Sequence, residues 1–139
     1  MRFMIIRKAD PETEAGMMPS EELITAMARY HEELVNAGVL RGGDGLQPSS
    51  RGARISFSDG KPTVTDGPFT EAKEVLGGYW MIDVKSREEA IAWAKKCPAS
   101  ENEVIEIRQV QEMADFSEEV QKAAEGFAEL QKGNAHKAR

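Results

Sequence analysis

Cysteine is nearly absent from this chain, and its scarcity excludes several chemistries. One thiol, Cys97, in 139 residues leaves no intrachain disulfide and no zinc site built on thiolates. Histidine is scarce too: His31 and His136 are the only two, and no pair of histidines has metal-binding spacing. No apolar run approaches the roughly 18 residues of a membrane span, and Phe3–Ile6 is far too short for a signal peptide. Neither phosphate-binding glycine motif is present, and no serine sits in a nucleophile elbow. Repeats and low-complexity segments are missing as well. A formal charge of −6 makes nucleic acid and anionic membranes poor partners. These absences describe one cytoplasmic domain that needs no metal and no cofactor.

What is present centres on Asp66-Gly67-Pro68-Phe69-Thr70-Glu71-Ala72-Lys73-Glu74. Gly67 permits unusual backbone angles, Pro68 fixes its own φ, and Asp66 can bond the N–H groups that follow it. Charges this dense beside a fixed turn point to a positioned group. The turn runs into Val75-Leu76-Gly77-Gly78-Tyr79-Trp80-Met81-Ile82-Asp83-Val84, a strand apolar on both faces.

Together with Ala37-Gly38-Val39-Leu40 and Gly42-Gly43-Asp44-Gly45-Leu46-Gln47-Pro48, that string resembles the signature of the DGPF branch of the YCII-related proteins. The resemblance covers roughly residues 1–112. It implies a dimeric α+β barrel and a His–Asp pair as the acid–base machinery. Counted back from Gly38, the group's histidine falls near Met27, one turn from His31. No activity is established for the group as a whole. Related proteins are often encoded beside extracytoplasmic-function sigma factors, which implies a regulatory partner.

Read in order, Phe3–Ile6 is a strand and Lys8–Pro19 a loop, broken by Asp10-Pro11, Gly16 and Pro19. Ser20 caps a helix that stops at Gly38. Its stripe of Leu23, Ile24, Met27, Ala28, Leu34 and Val35 places His31 near the middle, facing inward, with Tyr30 at one margin. Val39–Leu46 is a short strand entering a glycine-rich turn. Ala53–Ser58 alternates, with Ala53, Ile55 and Phe57 on a dry face, and Asp59-Gly60 turns it back as a hairpin along Lys61–Thr65. Ser86 and Glu89 form a capping box for a helix reaching Cys97, and Glu103–Val110 is the last strand.

The order β-α-β-hairpin-β-α-β predicts a ferredoxin-like split βαβ of the α+β class with an antiparallel sheet. Two helices cover one face only, so the apolar second face predicts a homodimer packed through its sheets. Residues 113–132 read as a C-terminal amphipathic helix, a docking element for a protein partner, and 133–139 as a flexible tail.

His31, Asp44 and Asp66 are the candidate catalytic residues: an inward imidazole facing acidic turns is suited to proton transfer. Arg54, Glu71 and Lys73 are the candidate substrate-binding residues, since a guanidinium or ammonium can hold a small anion. Each has a plainer reading: a satisfied core histidine, turn-forming aspartates, surface ion pairs and a solvated strand arginine. Two functions follow. One is a cofactor-independent lyase or isomerase acting on a small polar or carboxylated molecule. The other is a non-catalytic ligand-binding or regulatory module.

Overall fold

A computed structural model of the chain describes residues 1–70, 74–101 and 103–125. The chain divides into two compact units, Met1–Gln109 and Val110–Arg139. In the first, β1 (Arg2–Lys8), β2 (Leu40–Gly45), β5 (Leu76–Asp83) and β6 (Ile105–Gln109) form a four-stranded sheet in the order β2-β5-β1-β6. Every neighbouring pair is antiparallel. This is the α+β, ferredoxin-like arrangement, because each of the helices α2 (Glu21–Asn36) and α3 (Arg87–Lys95) crosses over between strands that are not neighbours.

Local chemistry fixes both helices. The Ser20 hydroxyl accepts from the Leu23 amide at 3.1 Å and that of Ser86 from Glu89 at 3.1 Å, while acidic residues fill both first turns. Gly38, at φ +73°, follows the end of α2 in the left-handed region where a side chain is disfavoured. The segment expected to be loop holds a further short helix, α1 (Pro11–Glu14). There Asp10 is a cap: its carboxylate accepts from the Thr13 amide at 2.8 Å, and Pro11 takes the first helical position, where its missing N–H costs nothing.

The core lies between the sheet and α2 and α3. Phe3 and Ile5 of β1 and Trp80 and Ile82 of β5 meet Tyr30 and Leu34 of α2 and Ala90 of α3. Tyr30 packs edge-on against Trp80, with centroids 5.1 Å apart at 87°, and its hydroxyl donates to the Trp93 carbonyl at 2.8 Å. That bond lets a polar tip enter an apolar layer, so Tyr30, expected at the margin, sits at the centre of the helix's buried stripe. Rotating the stripe this way leaves His31 exposed on the flank instead of inward. Burial lifts the Tyr30 phenol well above its usual range and pushes the Cys97 thiol up to about 11, against the pull of Arg7.

Among the described residues, strands β3 (Ala53–Ser58) and β4 (Lys61–Asp66) pair only with each other. The dry face expected for β3 is not dry: Ile55, Phe57 and Val64 are 55%, 76% and 64% exposed. On the sheet face opposite the helices, Met4, Tyr79 and Met81 are half-buried.

In the second unit a 3-10 turn at Met113–Asp115 precedes α4 (Glu118–Ala123), capped by Ser117. The rest of the helix expected to reach 132, and the tail 133–139, lie outside the described residues. Among the described residues, no helix is long and apolar enough to cross a membrane.

Candidate functional site

The candidate site exists because side chains are missing from it. Strand register pairs Gly43 with Trp80, Gly45 with Gly78, and Gly78 with Arg7. Alternation therefore puts Gly43, Gly45 and Gly78 on the face that carries Trp80, toward α2. Over this bare backbone stand Ile24, Met27, Ala28 and His31 of α2, enclosing a cavity of about 320 Å³. The glycines serve different ends. A Cβ on Gly43 would lie 2.9 Å from the Tyr79 carbonyl oxygen, and one on Gly78 3.1 Å from the Asp44 carbonyl oxygen, so these two permit close strand packing. A Cβ on Gly45 would meet nothing within 4 Å, so this glycine leaves open space.

Arg7 forms the cavity's charged wall. It shares the parity of Phe3 and Ile5 on β1, so the rule that buries those residues buries it as well: it is 8% exposed. Its Nη1 donates to the Pro98 carbonyl and its Nη2 to Glu103 Oε1, each at 2.7 Å. A buried guanidinium is tolerated here because a carboxylate and a carbonyl meet it at hydrogen-bond distance.

At the cavity's edge the Tyr79 hydroxyl donates to Asp44 Oδ2 at 3.0 Å. Donation to that carboxylate raises the Tyr79 pKa above its usual value. Alternation aims both side chains away from the face carrying Trp80, so Asp44 and Tyr79 border the cavity as part of its strand floor with their side chains on the other face, while His31 hangs over its mouth. Among the described residues no hydrogen bond joins these two.

Asp66 and Arg54 lie elsewhere, at the root of the hairpin, because β3 and β4 leave the main sheet. Neither lines this cavity. Arg54 stacks over Phe69, 3.8 Å from the ring centroid. Glu71 and Lys73 fall outside the described residues. The Asp-Gly-Pro-Phe turn docks on Ser49: the Phe69 amide donates to Ser49 Oγ at 3.0 Å, and the Gly67–Pro68 peptide is cis. Ser49 in turn donates through its amide (2.8 Å) and its hydroxyl to the Glu14 carboxylate. A Cβ on Gly67 would come within 1.8 Å of the Ser49 carbonyl oxygen, so only glycine fits. What the turn positions is the hairpin.

Sequence reasoning passed over Arg7 and the bond between Tyr79 and Asp44. Arg7 was within reach, since counting by twos from Phe3 and Ile5 turns it inward. Glu14 gave no such signal, because its partner Ser49 is distant in sequence. Among the described residues no three of His, Cys, Asp and Glu converge in a way that could hold a metal ion.

A family model described as the YCII-related domain matches residues 1–114. An uncharacterized protein of Rhizobium meliloti (strain 1021) is 35% identical over 75 residues, 54% of this chain, and the match spans 60% of that relative's length. A solved structure, 5-chloro-2-hydroxyhydroquinone dehydrochlorinase of Burkholderia phenoliruptrix AC1100 with 2,5-dihydroxybenzoquinone, is 17% identical. It matches with a TM-score of 0.40 over 80% of this chain and 94% of its own.

Proposed function

The chain belongs to the YCII-related domain family, and from that premise we propose a small cofactor-independent enzyme of lyase or isomerase type, acting on a small polar or carboxylated molecule. The observation that carries this reading is that His31 and Arg7 line one cavity of about 320 Å³ with an unobstructed backbone floor. That volume is at the small end of ligand pockets, enough for a compound of one ring. His31, exposed at the mouth, moves the proton. The Asp44 carboxylate is held by the Tyr79 hydroxyl on the other face of the sheet, outside this cavity. Acid–base assistance of this kind contributes roughly 10²–10⁴ in rate.

The wider arrangement is a homodimer joined through the sheet faces. Half-buried Met4, Tyr79 and Met81 support it, being an apolar surface on the side away from α2 and α3. The substrate-site roles expected of Asp66 and Arg54 would need a second copy to present its hairpin root to this cavity.

The test is deuterium incorporation. Small hydroxy- and keto-carboxylates are incubated with the protein in D2O and proton NMR reads exchange at carbon. Exchange by the wild type, lost in His31→Gln at unchanged thermal midpoint, is the expected result. A second reading, a non-catalytic ligand-binding or regulatory module, is favoured by the exposed apolar side of the hairpin. Saturable binding without exchange in any substrate would select it.

A further inference from the structure

Arg7 offers more than structural pairing. A guanidinium carries five N–H donors in a plane, and the two bonds to Pro98 and Glu103 engage only its Nη1 and Nη2 ends. Those bonds, at 2.7 Å each, also fix the orientation of that plane. Among the described residues no buried side-chain nitrogen lacks a partner. Neither of these acceptors engages Nε, and Arg7 lines the cavity.

We infer that this cavity is an anion site in which Arg7 anchors the carboxylate of a small planar ligand. The inference rests on the cavity reading above and specifies its substrate class. Planarity follows from the floor: Gly43, Gly45 and Gly78 present flat strand backbone, and Trp80 forms an apolar wall beside it. Carboxylate follows from the charge. Glu103 already neutralises part of the guanidinium, so a monoanion suits the remaining donors, whereas a dianionic phosphate would face that carboxylate. The formal charge of −6 gives the chain no long-range attraction for anions. Affinity here comes from local donors instead.

The test is a titration followed by the backbone amide resonances of Gly43, Gly45 and Gly78, with benzoate against its neutral isostere benzamide. Benzoate shifts these amides saturably and binds roughly tenfold more tightly than benzamide, the size of one charge-assisted hydrogen bond. Arg7→Met removes the preference. Because that variant strands Glu103 and could fail to fold, Glu103→Gln is the second arm. It keeps an acceptor for Arg7, removes the competing charge, and tightens benzoate severalfold while leaving benzamide unchanged. A purely structural Arg7 would give no such gain. Equal binding of the two probes at these amides, or weaker benzoate binding in Glu103→Gln, overturns the anchor and leaves the cavity standing. Failure of both probes to move these amides removes the cavity reading with it.

Discussion

The four-stranded sheet and the β3–β4 hairpin are written in nearly the same code and meet opposite fates. Both carry apolar side chains at every second position of a strand, and both pair in antiparallel register. In the sheet, Phe3, Ile5, Trp80 and Ile82 disappear beneath two helices. In the hairpin, Ile55, Phe57 and Val64 remain in solvent. Alternation decides which residues share a face, but not whether anything lies over that face. The cover comes from elements distant in sequence, and a two-stranded ribbon has none of its own.

The comparison breaks or sharpens at three points. Ile82 is fully buried, so Ile82→Ala costs about 2–5 kcal/mol in denaturant unfolding. A loss below 1 kcal/mol, about that of a trimmed surface residue, would erase the contrast. A second effect separates the regions by pH. Burial raises the pKa of both Tyr30 and Cys97, so the unfolded chain releases these protons at lower pH than the folded one. The stability they contribute is complete below the ordinary thiol range and declines as pH climbs toward about 11. Chemical unfolding at stepped alkaline pH reads this decline, which Tyr30→Phe combined with Cys97→Ala reduces. The smallest effect belongs to the hairpin. Phe57→Ser changes the unfolding free energy by no more than about 0.5 kcal/mol, because it removes exposed surface. A loss several times larger, or one that depends on protein concentration, would show that a second copy covers this arm in solution.

Much of the fold was legible in the letters. Ser20 and Ser86 cap the helices as their positions foretell, and Asp59-Gly60 turns the hairpin. The α1 helix was hidden because Asp10-Pro11 reads equally as a breaker and as a cap followed by a first helical residue. The site was harder. The apolar stripe of α2 is wide enough to accept either Tyr30 or His31 at its centre, and only the Trp93 carbonyl, reached across the core, decides between them. Asp44 was legible as a residue, but not its bond to Tyr79, which depends on the register between β2 and β5. The Asp-Gly-Pro-Phe turn stood out as a signature, while its seat on Ser49 and Glu14 is long-range and left no local trace.

The open space at Gly45 gives the chamber an adjustable depth. Side chains of graded bulk, from Ala through Ser to Val, can be tried there, because the Cβ they share meets nothing within 4 Å. Such a ladder of variants works as a caliper: the rung at which a compound stops entering measures its thickness. The same freedom makes one codon enough to retune what the chamber admits, with the scaffold around it left as it was.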